Sequence, residues 1–169
     1  MKRLQIIDST TITLFSNLIF KGVGRHPKTG KKKGGIKVHT VIHANEGVPS
    51  DIKFTSAATN DSFMLKPSAL SKGDIMAMDC AYIDYGKFQQ LTERGVIYVT
   101  KMKKNLRYSI LSDIMYQSTK GLMEVIIQHV EFVKQVKEGE TIRHKSRIIT
   151  YVNKKKAQTH IAIDQRYGV

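Results

Sequence analysis

Asp8 and Asp79 each follow a short apolar run, Leu4-Gln-Ile-Ile and Ile75-Met-Ala-Met. Runs of this kind favour β-strands, so both carboxylates are expected where a strand ends. Two strand-end carboxylates can hold a divalent cation, which stabilises the attacking and leaving oxygens of a phosphodiester during in-line displacement. Hard carboxylate oxygens suit Mg²⁺ or Mn²⁺. The single cysteine, Cys80, rules out a Cys-rich zinc site and an internal disulfide. An aspartate after a strand also serves commonly as a turn former or helix N-cap, so the pair alone leaves both roles open.

The charge balance favours a polyanionic partner. Lys and Arg number 28 against 14 Asp and Glu, a net +14, and the pI is near 9.9. Basic residues gather at Lys21 to Lys33, Lys101 to Arg107 and Arg143 to Lys156. A field of this sign attracts nucleic acid first among the partners of a basic domain. Asp8 interrupts the apolar run after Met-Lys-Arg-Leu, so no secretion signal is read, and no stretch of about 18 apolar residues offers a membrane span. A cytoplasmic protein without a membrane partner is expected. The 169 residues suit one domain.

The remaining motifs are weaker. Gly24-Arg-His-Pro-Lys-Thr-Gly-Lys resembles a phosphate loop only loosely, because five residues separate Gly24 from Gly30 and Lys32 stands where Ser or Thr belongs. It reads instead as a basic arm whose Arg25, Lys28, Lys31, Lys32 and Lys33 can contact DNA phosphates. His39 and His43 lie in an alternating strand pattern and read as ordinary strand residues. Asn60-Asp61 reads as a cap or turn, and Tyr82, Tyr85 and Phe88 as core.

These side chains need elements to place them. Leu4 to Ile7 and Thr10 to Phe15 read as the first strand, or as a strand continuing past Asp8, and Ile36 to Ala44 as a half-buried strand with Ile36, Val38, Thr40 and Ile42 on one face. Asn45-Glu-Gly-Val turns this strand into a hairpin with Ile52 to Ser56. A short helix is expected from Pro67, a strand over Ile75 to Met78, and a helix from Tyr82 to a C-cap at Gly95. Val96 to Thr100 forms the next strand and delivers Lys101, Lys103 and Lys104. Leu122 to Val136 and Arg147 to Ile163 are β-like, the latter broken by a turn at Asn153-Lys-Lys-Lys. The order predicts an α/β fold, a mixed sheet flanked by helices.

Five stretches in order resemble the catalytic domain of insertion-sequence DDE transposases, the bacterial group with a Tyr-x2-Arg-x3-Glu-x6-Lys signature. They are Ile7-Asp8-Ser9-Thr10-Thr11, Gly35-Ile36-Lys37-Val38-His39, Thr59-Asn60-Asp61-Ser62, Asp79-Cys-Ala-Tyr82-Ile-Asp84-Tyr and Tyr98-Val-Thr-Lys-Met-Lys103-Lys-Asn105. The resemblance implies an RNase H-like fold over residues 1–108 and a β-rich insertion over residues 109–169. It makes Asp8 and Asp79, 71 residues apart, the first and second catalytic acids and Mg²⁺ or Mn²⁺ ligands. It also implies insertion-sequence ends and target DNA as partners, with scope for self-association, and Lys101, Lys103 and Lys104 join the basic arm as DNA contacts. Cys80 stands where the family carries a basic residue.

The third acid is expected on a later helix, yet no Tyr-x2-Arg-x3-Glu string occurs in the 169 residues. Glu124, Glu131, Glu138, Glu140 and Asp164 fall on the wrong kind of element. The N-terminal DNA-binding region of the family is also not found before Asp8. The chain therefore reads as a transposase domain truncated at both ends and catalytically weak or inactive. The alternative is a non-catalytic nucleic-acid-binding protein that keeps the fold and the charge; an ordinary RNase H-like nuclease would need about four clustered acids.

Overall fold

The structure, a computed structural model, describes residues 3–13, 35–117, 121, 123–136 and 139–164. The basic arm from Lys21 to Lys33, with Arg25, Lys28, Lys31, Lys32 and Lys33, lies outside them. Among the described residues nine strands form one mixed sheet: β1 (Leu4–Thr13), β2 (Gly35–His43), β3 (Val48–Ser56), β4 (Ile75–Met78), β5 (Ile97–Lys101), β6 (Tyr108–Gln117), β7 (Met123–Gln135), β8 (Thr141–Asn153) and β9 (Gln158–Asp164). Their order across the sheet is β3-β2-β1-β4-β5-β9-β8-β7-β6.

β1, β2 and β3 pair antiparallel, while β1, β4 and β5 run parallel. A parallel step needs a crossover. Between β4 and β5 that crossover is α1 (Tyr85–Glu93), the one α-helix among the described residues. The β6–β9 meander then joins the same sheet, with β9 antiparallel to β5.

Local chemistry explains the helix. Asp84 caps it by accepting from the Lys87 backbone N–H at 3.2 Å, satisfying a donor that has no partner within the first turn. At the other end Gly95 takes φ +68°, a left-handed conformation that favours glycine. Tyr85, Phe88 and Leu91 face the sheet and are buried. Phe88 stacks on Tyr98 of β5 with ring centroids 4.1 Å apart, and Tyr85 stacks on Phe132 of β7 at 5.2 Å. One helix thus clamps the parallel strands and the meander to one core, which also includes Ile7, Met76, Met78, Ile148 and Ile163.

Three expectations need correction, and the burial of β2 adds a detail. The helix begins at Tyr85 rather than Tyr82, because Cys80–Tyr82 forms a separate 3-10 turn capped by Asp79. The expected helix at Pro67 is one 3-10 turn, Pro67–Ala69. In β2 the more deeply buried residues are His39 and Val41, on the face opposite to Ile36, which is exposed. His39 is accommodated there because its Nε2 bonds the Thr55 hydroxyl at 2.8 Å and its ring packs edge-on against Phe63. β6 and the first half of β8 extend strand structure beyond the segments read as β-like.

Candidate active site

β1 and β4 bring the two aspartates together. Their parallel register runs from Leu4 opposite Ile75 to Ile7 opposite Met78, and Asp8 and Asp79 are the next residue of each strand. Asp79 ends β4 as expected. Asp8 does not end β1: the strand continues to Thr13 because β2 keeps pairing with it, Asp8 opposite Thr40 and Thr13 opposite Gly35. Asp8 therefore sits where β1 loses one neighbour and keeps the other.

Both carboxylates are exposed. Asp8 Oδ1 accepts from the backbone N–H of Ser9 at 2.7 Å, and Asp79 Oδ1 accepts from that of Cys80 at 2.7 Å. Each turns one oxygen onto the next peptide, which fixes its rotamer and leaves its other oxygen able to bind a cation. Among the described residues no group of three or more His, Cys, Asp or Glu side chains could hold a metal. Two carboxylates and water nevertheless fit Mg²⁺, which commonly keeps several waters and takes one or two carboxylates together with substrate phosphates.

Three features surround the pair. Burial and a hydrogen bond to Asp79 push the Cys80 thiol up, while Lys103 and Lys101 pull it down. Those two lysines therefore act on the strand end that carries Asp79. Lys101, Lys103 and Lys104 are exposed, and an open groove of about 750 Å³ beside them is lined by Met78, Thr100, Lys101, Met102, Lys104 and Tyr151 among others. Tyr82, three residues after Asp79, is wholly buried. Burial raises its pKa to about 12; Ser9 opposes the shift, whereas the charges of Asp61, Asp8 and Asp79 add to it.

Asp61 is the residue that sequence reasoning placed too modestly. Asn60, not Asp61, makes the cap, accepting from the Ser62 N–H. Asp61 instead accepts from the Ser9 hydroxyl at 2.9 Å and pairs with Lys37 at 3.1 Å. Its spacing from Asp8 in the chain carries no periodicity, so only the tertiary fold exposes the link.

Three of the other acids are engaged elsewhere. Glu124 pairs with Lys154, Glu131 with Arg143 at 2.8 Å, and Asp164 on β9 forms a two-point pair with Arg147, at 2.8 and 2.6 Å. Glu140 is exposed beyond β7, and Glu138 lies outside the described residues.

The chain belongs to the transposase DDE domain family, whose profile it matches over residues 1–168. It is similar to a protein of Sinorhizobium fredii named "Putative transposase y4zB", with 28% identity over 108 residues, or 64% of this chain and 29% of the relative. The chain thus spans less than a third of that relative's length. No helix among the described residues is long and apolar enough to cross a membrane.

Proposed function

We propose that this chain is the metal-binding part of a DDE transposase with an RNase H-like core, acting in DNA strand cleavage and transfer at insertion-sequence ends. The placement of Asp8 and Asp79 at the end of the β1–β4 parallel pairing carries this reading. In it, residues 1–108 are the core and residues 109–169 the β-rich insertion. Mg²⁺ or Mn²⁺, when bound, would supply Lewis-acid stabilisation of the phosphodiester oxygens.

The chain's own residues do the rest. Asp8 and Asp79 hold the cation, one from each strand. Lys101, Lys103 and Lys104 contact DNA phosphates beside it, and Arg25, Lys28, Lys31, Lys32 and Lys33 extend that contact as a basic arm. With two acids where the family uses three, these residues by themselves would bind metal and DNA but cut DNA weakly. A two-carboxylate site holds its ion through fewer fixed ligands and positions the reacting oxygens less well.

DNA affinity measured with and without Mn²⁺ tests this. Mn²⁺ should tighten binding by the wild-type chain, and Asp8→Asn or Asp79→Asn should abolish the metal effect while leaving metal-free affinity unchanged. Equal affinity with and without Mn²⁺ in the wild type would sink the metal-site reading and favour a non-catalytic nucleic-acid-binding protein.

A further inference from the structure

β1 beyond Ile7 has no β4 partner and keeps only β2, with Asp8 opposite Thr40, so its open side calls for a further contact to fix the backbone that carries Asp8. The contacts of Ser9 identify it. The Ser9 backbone N–H donates to Asp8 at 2.7 Å, and its hydroxyl donates to Asp61 at 2.9 Å, across 52 residues of chain. Ser9 is thus held between two carboxylates.

Asp61 is itself anchored. Its side chain is 15% exposed and its Oδ1 lies 3.1 Å from Lys37 Nζ, on β2. Lys37 also donates to the Thr59 carbonyl at 2.9 Å, so one ammonium group ties β2 to the turn on both sides of Asn60. From the other direction Lys87 of α1 donates to the Ser62 carbonyl. The His39 ring is fully buried, with Nδ1 3.6 Å from Asp61 and no hydrogen bond. That separation is too long for a hydrogen bond. Burial lowers the pKa of His39, so Lys37 is the cation that balances Asp61.

We infer that Asp61 is a positioning residue for the acid pair: through Ser9 it fixes the part of β1 that carries Asp8, while Lys37 neutralises it and keeps it out of the cation's own ligand set. The inference rests on the metal-binding reading of Asp8 and Asp79. Its physical basis is general, since groups that orient metal ligands from behind typically contribute 10- to 100-fold to metal affinity.

Mn²⁺ titration of the full chain by calorimetry, alongside thermal melting, tests it. Ser9→Ala and Asp61→Asn should each weaken Mn²⁺ binding about tenfold or more, whereas Ser9→Thr, which keeps the hydroxyl and suits a strand, should bind as the wild type does. A role in stability alone would lower the melting temperature without moving the affinity of the folded protein. Wild-type affinity in folded Ser9→Ala overturns the inference, and this variant decides the matter if Asp61→Asn fails to fold. If the wild type binds Mn²⁺ and Asp8→Asn does not, the acid-pair reading stands whatever Ser9→Ala does. If the wild type binds none, that reading falls first and the inference with it.

Discussion

His144 lies on β8 beneath α1, 1% exposed, and burial lowers its pKa to about 4. The Tyr98 hydroxyl donates to Nε2, which leaves Nδ1 protonated and donating to Gln89 Oε1 at 3.2 Å. The neutral ring is thus the form the fold accepts. An unfolded chain takes up the proton near pH 6.5, whereas the folded one resists it until about pH 4. Stability should therefore be full above pH 7 and fall as the pH drops toward 4, by up to about 3 kcal/mol from this group. The lowered pKa of His39 adds in the same direction. Urea unfolding across pH 7 to 4.5 should show this decline and a flatter curve for His144→Gln; an identical curve would place the titrating group elsewhere. Lysines near Asp79 give a second residue-scale expectation. Replacing Lys101 or Lys103 by Ala should reduce the salt slope of DNA binding by about one each without changing sequence preference.

At the scale of elements, α1 does more than bridge β4 and β5. Phe88 is wholly buried against Tyr98, so Phe88→Ala should cost about 3–5 kcal/mol in unfolding free energy. Asp84→Ala, which removes only the cap, should cost about 1 kcal/mol. Comparable losses in the two would contradict the view that the helix is held by packing more than by its end. The helix and β4 were legible because their signals are local: Tyr85, Phe88 and Leu91 recur at helical spacing, and Gly95 marks the stop. Tyr82 misled the reading because it shares that spacing, while Asp79 and Asp84 cap two separate turns on either side of it. In β2 the apolar Ile36 points outward and His39 inward. An alternation pattern shows that a strand has two faces, but partners on β3 and the Asp61 turn decide which is covered.

Across the whole molecule, the basic surface should dominate affinity for DNA. If about six phosphates are neutralised, log K should fall against log salt with a slope near about −5. A slope close to zero would remove nucleic acid as the main partner. Asp8 and Asp79 stood out in the sequence as candidate ligands, and their adjacency followed once parallel pairing of β1 and β4 was in place. The Ser9–Asp61–Lys37 connection was not, because each member lies on a different element and no spacing rule joins them.

The sheet also has a seam. β7 and β8 pair from Met123 to Gln135, whereas β5 and β9 meet only from Val99 to Lys101. The long hairpin closes over a short stretch of chain, but β1–β4 and β5–β9 pairing must each close a loop of some 60 to 70 residues. Local contacts form sooner than distant ones. The meander should therefore gain protection from solvent exchange early in refolding, and the Asp8–Asp79 arrangement should mature later, with the distant β1–β4 pairing.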